Sequence, residues 1–316
     1  MKVSKIAQHE SLLLAGQVFL AIASWPARGA ESPATPGVTS TSQQAVESEY
    51  TQLQALDDAA QAEVEKWTHE AKTAGTNHSD KADADLGRRI HRRMAPVRKA
   101  YEEFLQKHPA HAKARLTYGS FLNDLGEEDA AQAQWEKALA LDPKNPDALN
   151  NLAGRYTEIG PPEKAFEYYT RAIGLNSSSP VYHVNFADAL YVRRKAAMAF
   201  YHLDEQQVYA RALACYSNAA RLDATNYAFA SKAAETHYTL KPFPAENALT
   251  AWTNALLRAQ SQLEREDVYI HLARVNLLSG HYAEARTILG AVTNANSAKL
   301  KSNLLEALKA REREKP

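Results

Sequence analysis

One spacing constrains this chain more than any single residue. Ala131, Trp135 and Ala138 recur 34 positions later as Ala165, Tyr169 and Ala172. The same interval relates Tyr118, Leu152 and Phe186, then Gly119, Ala153 and Ala187, then Leu122, Tyr156 and Leu190. Leu141 matches Leu175, and Gly126 matches Gly160. One helix therefore reads large–small–large, a glycine follows, and the next helix reads small–aromatic–small. Small residues let two helices approach closely, and large ones fill the space around them. A unit repeated at a fixed interval buries its apolar face only on its neighbours. The spacing thus predicts stacked helical hairpins, not a globule built around an enclosed chamber.

These residues resemble the tetratricopeptide repeat (TPR) family. Two copies run 112–145 and 146–179, and the stretch ALNNLAGRYTEIGPPEKAFEYYTRAIGLN fits nearly throughout. The resemblance implies an all-α fold, a right-handed superhelix (α-solenoid) whose first helices line a concave groove. It also implies a protein or peptide partner.

Lys+Arg and Asp+Glu balance at 37 each, so no overall field argues for nucleic acid. The N-terminus reads as an export signal. Lys2 and Lys5 precede an apolar run from Ser11 to Trp25, broken only by Gly16 and Gln17. The run falls short of the ~20 residues that span a bilayer. Ala27-Arg28-Gly29, or Ala21-Ile22-Ala23, suits a signal peptidase. Residues 1–29 are expected to be a signal peptide that exports the chain to a periplasm or the extracellular space. Left uncleaved, the segment would be a weak membrane tether. Residues 30–43, rich in Ser, Thr, Pro and Gly, read as a disordered linker.

From 44 to 75, Val46, Tyr50, Leu53, Leu56, Ala60, Val64 and Trp67 recur at threes and fours. This predicts a long amphipathic helix that docks as a cap or pairs with another chain, which would make an oligomer. Residues 79–296 are expected to hold five to six repeats. The first, 80–109, is degenerate: Leu86 and Ile90 fall on its first helix, and Val97, Tyr101 and Phe104 on its second. Ala165 to Ala212 is 47 positions, so 13 residues are inserted, at about 193–206. The insertion is expected to lengthen one first helix to about Phe200, with Asp204 capping the next helix and Gln207 completing a capping box. The hairpin would then project. Ala248, Trp252 and Ala255 mark a repeat at 226–262, and another runs 266–299. Residues 297–316 read as a C-terminal capping helix with Leu300, Leu304, Leu305 and Leu308 inward.

No phosphate-loop, dinucleotide, zinc-protease or serine-hydrolase motif is present. His108 with His111, and His69 with His78, read as solvated turn histidines rather than metal ligands. Glu127-Glu128 and Asp57-Asp58 read as solvated charge. Cys215, the one cysteine, reads as a half-buried packing residue. Asn77 and Asn176 begin glycosylation sequons whose use depends on the host. The chain is expected to be non-catalytic, with no cofactor and no metal.

In the family it resembles, the sixth residue of each first helix points into the groove. Those residues here are Thr117, Asn151, Asn185, Ser231 and His271. Asn151 and Asn185 would stack as rungs whose amides bond an extended peptide backbone. Lys113, Ser120, Asn150, Glu158, Asp188 and Tyr191 lie beside them. A carboxylate clamp is not expected, because Asp147 and Val181 stand where its later lysine would be. Phe200 and Tyr201, in MAFYHL, are contact candidates on the insertion, unless they pack down on neighbouring helices. Two functions follow. One is a scaffold that binds a partner in the groove. The other is an assembly protein that self-associates through the N-terminal helix or the insertion.

Overall fold

Among the described residues every regular element is helical. The structure is a computed structural model and describes residues 41–73 and 80–313. The expected signal peptide (1–29), most of the linker, His78 and the Asn77 sequon lie outside them. The chain divides into two units, 1–148 and 149–316.

Unit 1 holds α1 (Thr41–Thr73), α2 (Asp80–Lys107), α3 (Ala112–Asp124) and α4 (Glu128–Leu141). Helices α1 and α2 run antiparallel. Arg93 donates to Glu63 (3.0 Å), the Tyr101 hydroxyl to Asp57 (2.6 Å) and Lys107 to Glu49 (2.8 Å). Tyr50, Leu53 and Ala60 are buried in this pairing. The amphipathic helix therefore docks within its own chain. The hairpin expected at 80–109 does not form, because α2 is a single helix through Pro96. The stretch RRIHRRM, where its turn would fall, consists of residues that tolerate helix well. Val97, Tyr101 and Phe104 keep the phase of Ala131, Trp135 and Ala138 and are buried. Helix α2 is thus a second repeat helix, and α1 supplies its missing partner.

The turn between α3 and α4 needs Gly126, whose φ of 76° lies in the left-handed region. The pair closes tightly at Gly119, where an added Cβ would lie 2.5 Å from Cδ1 and Nε1 of Trp135.

Helix α5 (Pro146–Ile159) crosses into unit 2. There follow α6 (Pro162–Leu175), α7 (Pro180–Val192), α8 (Arg194–Tyr201), α9 (Glu205–Leu222), α10 (Tyr227–Thr236), α11 (Ala245–Leu256), α12 (Gln262–Leu278), α13 (Tyr282–Gly290) and α14 (Ala298–Arg313). The small–aromatic–small sets on α6, α9 and α11 are all buried. Within unit 2, α7, α10 and α12 each pack on the second helices flanking them, which is the α-solenoid arrangement.

The insertion differs from expectation. Helix α7 stops at Val192 instead of continuing to Phe200. Arg193 leaves the helix, and its guanidinium donates to the carbonyls of Thr157 and Glu158 at the end of α5, both at 2.6 Å. These otherwise unpaired helix-end acceptors make a break at 193 favourable. Helix α8 then folds down rather than projecting. Phe200 and Tyr201 set their rings 5.6 and 5.7 Å from Phe166, and Ala197 is fully buried. Asp204 caps α9 with Gln207 in a capping box, as expected. At the C-terminus Leu308 is buried and Leu304 and Leu305 pack against it, but Leu300 is exposed. Leu300 sits in the first turn of α14, short of the core it was expected to reach.

Candidate functional site

Four fully packed alanines align the first helices of unit 2: Ala153, Ala187, Ala234 and Ala273. Two residues before each stand Asn151, Asn185, Lys232 and His271. One residue after each stand Gly154, Asp188, Glu235 and Arg274. A helix places residues three apart on one face, so these two rows share a face of α5, α7, α10 and α12. This register replaces Ser231 with Lys232; the Ser231 hydroxyl donates to the carbonyl of Ala228 on its own helix.

The asparagines do not form two open rungs. Asn185 is buried and donates to the Oδ1 of Asn150 (3.1 Å), and buried Asn150 donates to the Oδ1 of Asn151 (3.3 Å). A buried amide without a partner is costly, so the three close into a chain that links α5 to α7. Only Asn151 retains partial exposure.

Asp188 lies at 2% exposure, so its charge needs a partner. Lys232 supplies it, with Nζ 2.7 Å from both carboxylate oxygens. The Tyr216 hydroxyl also donates to Asp188, and burial followed by this charge raises the Tyr216 phenol far above its ordinary value. This arrangement ties α7, α9 and α10 together. Tyr191 packs on Tyr209 at 5.4 Å, its phenol raised by burial, and forms a side wall.

His271 is not an open rung either. Its ring stacks on Trp252, with centroids 4.0 Å apart and planes 6° from parallel, and its Nδ1 is 3.3 Å from the Tyr238 hydroxyl. Burial pushes its pKa down to about 4, so it is neutral at neutral pH. Glu235 and Arg274 are the exposed charges of this face, and Glu158 is exposed at the end of α5. The repeat register contains both Glu235 and Arg274, and counting outward from Ala234 and Ala273 finds them. Arg274 sets its guanidinium 4.5 Å from the Tyr238 ring centre.

Thr117 belongs to unit 1, and α1 reaches it there. The Tyr50 hydroxyl is 3.3 Å from its Oγ1, which also donates to the carbonyls of Lys113 and Ala114. Ser120 donates back to Leu116, and Lys113 is exposed. Phe200 is 41% exposed at its edge, while Tyr201 is half-buried beneath Arg211, 4.0 Å from its ring centre.

Several groups expected in solvent have structural jobs. The Nδ1 of His111 accepts from the Ala114 N–H and caps α3, and the ring lies 4.7 Å from Tyr50. His108 is 3.2 Å from Glu49, Asp57 accepts from Tyr101, and Glu127 accepts from Arg98. Their partners lie on other helices, which spacing along the chain does not reveal. Burial raises the Cys215 thiol to about 11, which leaves it protonated and unreactive.

Residues 91–212 match a family described as tetratricopeptide repeat. No curated protein matches the chain. Among solved structures the chain is similar to YrrB, described as "a TPR protein with an unusual peptide-binding site". The two are 13% identical over 68% of this chain and 99% of that one, with a TM-score of 0.51. It is also similar to the C-terminal part of a TPR repeat-containing protein from Cytophaga hutchinsonii. There the identity is 12% over 81% of this chain and 98% of that one, with a TM-score of 0.52. At such identities the likeness is one of fold.

Proposed function

We propose, from the premise that residues 91–212 form a tetratricopeptide-repeat segment, that this chain is a non-catalytic scaffold binding an extended peptide of a partner protein along the first-helix face of unit 2. The observation that carries the reading is the two-row register. The polar groups of α5, α7, α10 and α12 share one face, while the opposite faces pack the core. Asn150, Asn185 and Asp188 make a rigid, internally bonded floor. Asn151, Lys232, Glu235 and Arg274 stand above it with solvent access. Fixed polar groups spaced along a face suit a backbone that presents its donors and acceptors at regular intervals. Export to a periplasm or the extracellular space is part of the proposal and rests on Lys2, Lys5 and the apolar run that follows.

The self-association reading has less support. Tyr50, Leu53 and Ala60 of α1 are buried in the pairing with α2, and Ala197 and Tyr201 of the insertion pack within the chain, which leaves Leu56 and Phe200 as the exposed large apolar residues of these two segments.

Photo-crosslinking from the exported fraction tests the reading. A crosslinker at position 151 or 235 should capture a partner, and one at Glu167, exposed on α6, should not. Equal capture from all three positions, or capture from 167 alone, would refute the groove.

A further inference from the structure

Glu235 differs from the other carboxylates near this face. Asp188 is closed over by Lys232 and Tyr216, and Asp267 accepts from the Tyr227 hydroxyl at 2.6 Å. Glu266 is buried beneath the segment that leads into α14. The Glu235 side chain is exposed and, among the described residues, takes part in no hydrogen bond or ion pair. It is the penultimate residue of α10, where unpaired helix carbonyls add negative potential.

Its surroundings favour a cation. Aromatic faces attract cations, and Tyr191, Tyr216 and Tyr227 stand on α7, α9 and α10, with Tyr238 just after α10. Two of those faces already hold one: Lys232 lies 5.6 Å from the Tyr216 ring centre and Arg274 4.5 Å from that of Tyr238. On α7, α10 and α12, counting Asp188, Glu235 and Asp267 against Lys232 and Arg274, with His271 neutral, these groups keep one net negative charge. The Lys232 ammonium is already bound by both oxygens of Asp188, so it does not close the Glu235 site.

We infer that Glu235 reads a basic side chain, an arginine or lysine of the bound peptide, and that this residue completes the ion pair the fold leaves open. The inference rests on the groove reading above and adds a preference to it. Arg274 acts as an internal rival: one step along the same row, with no hydrogen-bonded partner among the described residues, it opposes an incoming cation.

The test is selection of a short random-peptide library on the full chain, on Glu235→Gln and on Arg274→Gln. Both side chains are exposed, and far-UV circular dichroism checks that each variant keeps its fold. The wild type should enrich peptides with Arg or Lys at one fixed position. Glu235→Gln should lose that preference and bind the selected basic peptide roughly tenfold more weakly, the scale of one charge-assisted hydrogen bond. Arg274→Gln should bind the same peptide more tightly. Selected peptides without a basic position, or a basic preference that survives Glu235→Gln, would overturn this inference and leave the groove standing. A library that yields no binder to any of the three proteins would remove the groove reading itself.

Discussion

Replacing Gly119 by Ala tests the interlock between helices at its tightest point. Alanine is the better helix former by about 0.8–1 kcal/mol, so the change alone should stabilise α3. The structure opposes this. The new Cβ would lie 2.5 Å from two indole atoms of Trp135 and 3.1 Å from the Ala131 carbonyl. Trp135 is 3% exposed and has little room to retreat. Overpacking of this kind costs about 1–3 kcal/mol, which outweighs the propensity gain. Gly119→Ala should therefore destabilise by roughly 1 kcal/mol. The next repeat shows the remedy, because it places Ala153 and Tyr169 where this one has Gly119 and Trp135, and both are fully buried. Trp135→Tyr alone leaves unfilled space and should cost roughly 1–2 kcal/mol. The double variant recreates the neighbouring pair, so the two costs should fall short of adding by at least about 1 kcal/mol. Urea unfolding followed by far-UV circular dichroism closes the cycle. Hydrogen exchange of α3 and α4 amides reports the local unit where the array does not unfold in one step. A stabilising Gly119→Ala, or costs additive within about 0.5 kcal/mol, would refute the interlock.

Two pH effects have defined signs. His271 titrates at about 4 in the fold against an ordinary 6.5, so its contribution to stability is complete above 6.5 and is lost as pH falls towards 4. An NMR titration of the ring should find it neutral down to about 4, and a value near 6.5 would contradict the stack on Trp252. The Glu266 carboxyl is held down to about 2 by the Gln262 amide, then by the Asn294 N–H and the Thr293 hydroxyl and N–H. Its contribution is present above the ordinary 4.5 and is lost as pH falls through about 2. The protection factors of the Thr293 and Asn294 amides should fall over that window and be low throughout in Glu266→Ala; unchanged protection in the variant would exclude the contact.

The periodic core was legible because each repeat imposes the same steric demand on the same positions. Ala131, Trp135, Ala165 and Tyr169 are buried as their spacing required. The capping box at Asp204 was legible for the same reason, since its partners lie three residues apart. The missing hairpin at 80–109 was not, because Val97, Tyr101 and Phe104 show a second helix without showing which segment pairs with it. Nothing in their spacing points to α1, whose docking is decided by Asp57 and Glu49 meeting Tyr101 and Lys107 across the pair. The insertion was counted correctly and shaped wrongly. A composition that suits continuous helix could not reveal that Arg193 would leave α7 to cap α5.

By itself the sequence determined that this chain builds antiparallel helix pairs at a fixed interval, because local propensity and a recurring pattern of side-chain volumes act over short distances. Only the tertiary structure decided which polar groups of the face are closed and which are open. Asn185 and Asp188 looked like ligand-facing residues until Asn150, Lys232 and Tyr216, on other helices, were seen to satisfy them. Glu235 carries no mark along the chain, yet among the described residues of this face its carboxylate is one that the packing leaves without a hydrogen-bonded partner. Burial and pairing are set between helices, so their outcome appears only where the helices meet.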